Sequence, residues 1–366
     1  MDFDIPASTQ QFLGELDQFI IDVIKPMEGE DDNIRFFDHR REDSRTDWDR
    51  DGLPNAEWEG LLRRMRVAAD RAGYYRHQLP ERFGGKDAGS LEMAIVREHL
   101  ARKGLGLHND LQNESSIVGN LVTVLMMEKY GSPAQQAEWI PKMLGGTARI
   151  GFGLTEPLHG SDATWMETTA TRDGDEWVIS GEKYWNTGLH HATHDYIFAR
   201  TSGEPGDGRG ITCFITPTDS PGFEIEEFMW TFNMPTDHPR VSFTNIWVPD
   251  SAMFAPEGQG LALAQHFVHE NRIRQAASSL GAGLHCIDLA VDYANARTTF
   301  GKRLSTNQAI QFPLADLAAE AEMLRALIQK TAWQLDAGVD HMEITDKVAM
   351  CNYRANRFCC NAADQA

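Results

Sequence analysis

No stretch of the 366-residue sequence approaches the ~20 consecutive apolar residues that a membrane-crossing helix needs. Met1 leads into acidic residues, not into a basic and then apolar leader. Neither a membrane span nor a secretory signal is therefore expected, and the expected location is cytoplasmic. Positive charge is also in short supply: 34 Lys+Arg against 54 Asp+Glu give a net charge of −20. Nucleic acid and anionic membrane would both repel such a chain, which excludes them as main partners. Cysteine is sparse, with only Cys213, Cys286, Cys351, Cys359 and Cys360, no Cys-x-x-Cys and no repeated Cys/His spacing. No metal site is expected from that pattern. The vicinal Cys359 and Cys360 read as two helical residues beside a core, in keeping with a reducing compartment. A Gly-x-Gly-x-x-Gly run and a Gly-Lys-Ser/Thr loop are both missing, which leaves no support for a dinucleotide-binding crossover or a phosphate loop.

What is present is ordinary in bulk and informative in order. Hydrophobic residues at 42% and charged residues at 24% suit a globular chain large enough for two or three domains. Ser8 with Gln11 predicts a capped helix in which Phe12, Leu16, Phe19, Ile20, Val23 and Ile24 recur until Pro26 stops it. Glu28 to Asp32 and Asp38 to Asp51 read as solvated polar segments. Further helices are expected over 57–71, from Ser90 to Gly104, over 117–130, and from Ser132-Pro133 to Gly145. After Arg149 the period shortens. Residues 167–180, with a turn at Asp173-Gly174, predict a hairpin, and runs at 196–199, 211–215 and 241–248 predict more strands. From Gly260 the pattern is helical again, unbroken from Leu261 to Arg297, where a helix would reach roughly 55 Å at ~1.5 Å per residue. Two more long helices follow, over about 307–337 and from Glu343 onward. The last keeps its spacing to residue 366 without a stop signal, so the sequence is expected to be cut within an element.

The expected fold class is therefore α+β and multi-domain. An N-terminal α-helical domain (1–148) precedes a middle β-sheet domain, barrel-like (149–258), and a C-terminal four-helix-bundle domain, incomplete here (259–366).

Three motifs sit on this frame. Phe152-Gly153-Leu154-Thr155-Glu156-Pro157 runs on to Gly160-Ser161-Asp162, a loop whose N–H groups and hydroxyls suit a flat heteroaromatic ring. Trp185-Asn186-Thr187 follows, and then Arg297 to Lys302 with Gln308. In this order and spacing they resemble the acyl-CoA dehydrogenase family of flavoproteins, over nearly the whole chain. The resemblance implies FAD as cofactor, held by Phe152, Leu154, Thr155, Gly160, Ser161, Trp185 and Thr187. Arg297, Phe300 and Gln308 would act on the FAD of an adjacent subunit in a homo-oligomer, either dimer or tetramer. It places Ser161, His269 and Arg272 at an acyl-CoA substrate and implies an electron-transfer flavoprotein as acceptor. The implied reaction is α,β-dehydrogenation to the trans-2-enoyl-CoA. An oxygen-using oxidase or flavin monooxygenase of the same fold, or a catalytically silent flavin-binding scaffold, are the alternatives.

The family base is a Glu shortly before a Gly-Thr near the C-terminus, or, in a minority, a Glu immediately before an Arg matching Arg272. The first motif is absent and Asn271 holds the second place, so no catalytic residue is assigned and the base is expected beyond residue 366. Glu270 lies ~100° further round a helix and is expected to point elsewhere. His190, His191 and His194 cluster in a loop without carboxylates at ligand spacing, and read as a solvated or flavin-adjacent loop.

Overall fold

The computed structural model describes residues 4–110, 115–231 and 237–366. In chain order it contains helices α1 (Ala7–Phe19), α2 (Ala56–Arg71), α3 (Ser90–Arg102), α4 (Val122–Tyr130) and α5 (Pro133–Leu144). Strands β1 (Ile150–Gly153), β2 (Thr169–Asp173), β3 (Glu176–Tyr184), β4 (His194–Arg200), β5 (Ile211–Pro217), β6 (Phe223–Phe228), β7 (Pro239–Pro249) and β8 (Met253–Phe254) follow. Helices α6 (Gly260–Ala296), α7 (Gln308–Asp336) and α8 (His341–Gln365) complete the order, so helices flank a sheet as the sequence predicts. The chain divides into two compact units, one of Met1–Phe37, Leu61–Leu121 and Val268–Ala366, the other of Asp38–Gly60 and Val122–Phe267.

In the helical unit the core comes from α6, α7 and α8. On α8 the buried positions are Ile344, Val348, Cys351, Ala355, Phe358 and Ala362. Their steps of four and three residues keep one apolar seam facing inward along the helix. On α6, Ile273, Ala276, Ala277, Leu280, Leu284 and Ile287 form the matching stripe. Glycine is required at 283, where a Cβ would sit 2.4 Å from the Phe358 ring.

Four local expectations are corrected in this unit. Pro6, not Ser8, is the N-cap of α1, and the helix does not stop at Pro26. It widens to a π-turn over Ile20–Ile24, with Lys25 N–H bonded to Ile20 O, and continues through Lys25–Gly29. The wider turn restarts the hydrogen-bond ladder just where Pro26, lacking an N–H, can begin a new turn. Glu28 is not solvated but buried, accepting from Lys25 Nζ at 2.7 Å and from Leu107 N–H at 2.8 Å. The apolar residues Ile117 and Val118 are buried in non-helical chain beside a short Asn109–Asp110/Ser115–Ser116 ladder. An apolar run alone does not distinguish that from a buried helix.

The sheet unit is built on eight strands in the order β6-β7-β3-β2-β4-β5-β8, with β1 parallel to β4. The Asp173-Gly174 hairpin forms, pairing Thr169–Asp173 with Glu176–Ser180. Trp177, Ile179, Ile197, Phe214, Val241 and Ile246 supply its core. Strand β6 is absent from the sequence reading because Glu224 to Glu227 are exposed at the sheet edge, where charge discourages further pairing. Helix α5 starts at the expected Ser132-Pro133, and Ser132 and Gln135 form a capping box there. The Gln135 Nε2 also donates to Ser251 O and Met253 O at 3.1 and 2.9 Å, which ties the helix to the connection between β7 and β8.

Candidate functional site

The loop after β1 is shaped by an ion pair that the sequence reading left without a role. Glu156 and His159 exchange backbone N–H···O bonds of 3.2 Å around Pro157-Leu158, which closes a tight turn. The Glu156 side chain turns inward, accepting from the N–H groups of Glu167 (2.6 Å) and Thr168 (2.9 Å) and from Lys183 Nζ (2.8 Å). Both side chains are almost wholly enclosed, Lys183 at 0% and Glu156 at 3% exposure. Lys183 Nζ donates as well to Leu154 O at 3.3 Å, and Tyr184 N–H donates to Thr155 O at 2.9 Å. The end of β3 is thus fastened to Leu154, Thr155 and Glu156 in turn. Burial pulls Lys183 down to about 8 against the attraction of Glu156. Burial pushes Glu156 up, but Lys183 and the two N–H donors outweigh it and hold the carboxyl below its usual range. Both groups are charged at neutral pH.

Fastened this way, the polar groups of the loop face outward. Thr155 is half-buried and Ser161 exposed, and neither hydroxyl has a hydrogen-bond partner among the described residues. Gly160 is exposed, with no atom within 4 Å of a Cβ placed on it. Phe152 stacks on Phe267 at 4.1 Å and 15° and tilts against Phe198 at 5.0 Å, so much of its ring is committed to packing.

Trp185 is 40% exposed and adopts a φ of +69°, a left-handed conformation uncommon for a bulky residue. Its N–H is bonded to Pro239 O at 3.0 Å. Thr187 is exposed, its hydroxyl donating weakly to Trp185 O at 3.4 Å. Between them Asn186 is fully buried, and its Nδ2 donates to Asp195 Oδ2 at 2.5 Å. Two glycines make room for this pair. A Cβ at Gly151 would sit 2.7 Å from Asp195 Oδ1, and one at Gly153 would sit 2.5 Å from Asn186 Nδ2.

Burial raises Asp195 from 3.8 to about 7, against the opposing pull of Asn186 and Lys183. Between those pH values the folded state holds a proton that the unfolded chain releases. Stability therefore falls as pH rises from about 4 to about 7 and then levels off. Asp195→Asn keeps an acceptor for Asn186 and removes that slope. The variant should melt above its parent at pH 8 and together with it at pH 4. Equal offsets at the two pH values would clear Asp195 as the source.

In the helical unit, α6 gives way to a basic turn. Arg297 N–H bonds to Tyr293 O at 2.8 Å, and Thr298–Thr299 pairs with Lys302–Arg303 around Phe300-Gly301, both at positive φ (49° and 74°). Phe300 is fully exposed, an unusual position for an apolar ring on a strained backbone. Arg297 is exposed, its guanidinium without a partner among the described residues, and Gln308 opens α7 beside its N-cap Asn307.

Further back on α6 the expected substrate residues part company. His269 is fully buried, its Nε2 3.4 Å from Thr345 Oγ1. Arg272 is half-buried and its guanidinium has no hydrogen-bond partner among the described residues. Asn271 Oδ1 accepts from Arg274 at 2.9 Å and from Asn120 at 3.4 Å. Glu270 accepts from Gln78 at 3.3 Å and lines one small cavity with Gln78, Asn120 and Arg274. Its carboxylate and the partners of Asn271 therefore share a cavity, closer company than the helical angle predicts.

The histidine loop is also corrected. Glu59, 131 residues from His190 in sequence, supplies a carboxylate for His190 and His191, a partner that spacing along the chain could not reveal. His194 lies apart, edge-on to Trp139 at 4.6 Å. The other missed residues left a signal. Lys183 occupies an inward register position of β3, with Trp177 and Ile179, where a charge demands a buried partner. Asn186, polar and fully buried, demands the same.

No described helix is long and apolar enough to cross a membrane. Family models described as the N-terminal, middle and C-terminal domains of acyl-CoA dehydrogenase match residues 30–147, 151–246 and 258–366. The chain is 29% identical to the glutaryl-CoA dehydrogenase of Desulfococcus multivorans, across 100% of this chain and 87% of that protein. It is 31% identical to the acryloyl-CoA reductase (NADH) of Anaerotignum propionicum, across 78% of this chain and 72% of that protein. Among solved structures it superimposes on butyryl-CoA dehydrogenase from Megasphaera elsdenii with a TM-score of 0.75 and 26% identity, covering 98% of this chain and 86% of that one.

Proposed function

Because the chain belongs to the acyl-CoA dehydrogenase family of oxidoreductases, we propose that it carries out FAD-dependent α,β-dehydrogenation of an acyl-CoA thioester in the cytoplasm. Electrons would pass to an electron-transfer flavoprotein. The observation that carries the reading is the outward set of Thr155, Ser161, Trp185 and Thr187, with two hydroxyls that have no partner among the described residues and an indole at a positive φ. This donor set fits a flat, heteroatom-rich ring. When bound, FAD supplies an acceptor for the β hydrogen as hydride. Thr155, Ser161 and Thr187 offer it hydroxyls, Trp185 covers a face, Gly160 leaves room for close approach, and Leu154 and Phe152 bound the loop. Arg272, half-buried and with its guanidinium unpaired among the described residues, is suited to an anionic or carbonyl group of the acyl-CoA.

The chain acts in this reading as a homo-oligomer. Phe300, fully exposed, and Arg297, its guanidinium unpaired among the described residues, form with Gln308 the surface offered to the FAD of a second copy. A planar guanidinium grips a pyrophosphate by two bonds where a lysine offers a point charge. Arg297→Ala should raise the FAD dissociation constant at least tenfold, whereas Lys302→Ala, on the same turn, should change it little. Equal losses in a flavin-fluorescence titration would remove Arg297 from the site.

The reading as a whole is tested by anaerobic mixing of the FAD-loaded chain with saturated acyl-CoAs of several lengths. Binding should perturb the long-wavelength flavin band and bleach it slowly, since no carboxylate stands before Arg272. A band that no acyl-CoA perturbs overturns the proposal. Rapid peroxide formation in air, once the flavin is reduced, would reassign the chain to the oxygen-using oxidases of the fold.

A further inference from the structure

The turn after Thr187 carries a donor set that the flavin reading does not use. Gly188 N–H is bonded to Asp237 O at 2.8 Å, and His191 N–H closes the turn on Gly188 O at 3.1 Å. Successive residues of a strand would send two side chains to opposite faces. This turn instead lays the His190 and His191 rings side by side, centroids 3.9 Å apart and tilted 39°.

Both rings aim Nε2 at a single oxygen, Oε1 of Glu59 in the first turn of α2, with His190 at 2.9 Å and His191 closer still. All three donor atoms lie within 4.8 Å of one another and belong to the same unit of the fold. Four-coordinate zinc, with bonds of about 2.0–2.1 Å to nitrogen and to carboxylate oxygen, needs its ligand atoms roughly 3.3 Å apart. The three atoms lie close enough together for a single ion to draw them to that spacing. The surroundings suit an ion with one position open to solvent. The His190 side chain is 8% exposed, with Phe228 edge-on at 6.4 Å, whereas the His191 side chain is 36% exposed. Imidazole favours zinc and its first-row neighbours over magnesium or calcium, which prefer oxygen ligands.

We propose that Glu59, His190 and His191 bind one divalent first-row transition-metal ion, zinc in type, which clamps the first turn of α2 to the turn following Thr187. The site is independent of the proposed dehydrogenation and of FAD.

The test uses the tag-free, chelator-treated chain titrated with Co²⁺ and then Zn²⁺. One Co²⁺ per chain should bind at micromolar or tighter affinity, with the intense visible bands of a four-coordinate ion, and Zn²⁺ should displace it. Metal should also raise the melting temperature. His191→Ala and Glu59→Gln should each weaken binding at least tenfold, while His194→Ala, whose ring rests against Trp139, should leave it unchanged. Far-UV circular dichroism of the metal-free variants checks the fold, and the exposed His191 is the substitution least able to disturb it. Mg²⁺ should produce no stabilisation. Absence of Co²⁺ binding, or binding that is the same in His191→Ala and Glu59→Gln as in the parent, would leave the cluster a hydrogen-bonded one and overturn the proposal.

Discussion

Asn271→Glu should speed anaerobic flavin bleaching by an acyl-CoA by ~10²–10⁴-fold, the usual contribution of a positioned general base. An asparagine cannot take the α proton, whereas a carboxylate immediately before Arg272 stands where some members of the family carry theirs. The local setting accepts the change. Asn271 Oδ1 already receives hydrogen bonds from Arg274 at 2.9 Å and Asn120 at 3.4 Å, so a carboxylate there meets a guanidinium instead of an apolar wall. That pairing keeps the new group ionised at neutral pH, the form that abstracts a proton. Stopped-flow bleaching of variant and parent, at matched acyl-CoA saturation, gives the ratio. The assignment sinks if the variant binds the same acyl-CoA with no gain in rate. A parent that already bleaches fast would move the proton to Glu270, whose carboxylate lines the adjoining cavity, and Glu270→Gln would then abolish the bleaching.

Lys183→Met should cost about 3–5 kcal/mol of stability, the usual loss when one partner of a buried ion pair is removed. Glu156 would be left ionised at 3% exposure with only the N–H groups of Glu167 and Thr168 for company. The double variant Lys183→Met/Glu156→Gln should recover much of the loss, because the stranded charge is gone while a carbonyl oxygen still accepts an N–H. Denaturant titration followed by tryptophan fluorescence reports both. A cost below ~1 kcal/mol, or a double variant no better than the single, would show that the pair is solvated in a way its burial does not suggest. The same substitution frees Leu154 O and loosens the hold of β3 on Thr155, so flavin retention should fall along with stability.

Elements set by one dominant period were legible in the sequence. Helices α6, α7 and α8 lie within a few residues of their expected limits, because an apolar stripe sustained over 25 residues or more leaves little choice. The Asp173-Gly174 hairpin was equally plain. Pro26 was misread because the sequence does not announce a π-turn, and α4 because buried extended chain and buried helix share a composition. In the candidate site, the outward residues were found through their motifs, while their supports were not. Glu156 reaches Lys183 across 27 positions and His190 reaches Glu59 across 131, and partners that meet only through topology leave no periodic trace.

The two glycines under the Asn186–Asp195 pair restrict the order in which this sequence can change. An alanine at 153 collides with Asn186 Nδ2, and one at 151 with Asp195 Oδ1 and the Leu189 side chain. Conversely, an apolar residue at 186 strands Asp195 in the interior without the side-chain donor that Asn186 supplies. Each single step is uphill, although a simultaneous exchange to a larger residue at 153 and smaller apolar ones at 186 and 195 need not be. Mutational trajectories through this corner of the sheet should therefore be gated. Libraries randomising 153, 186 and 195 together should yield functional combinations that one-at-a-time scanning of the same positions never reaches.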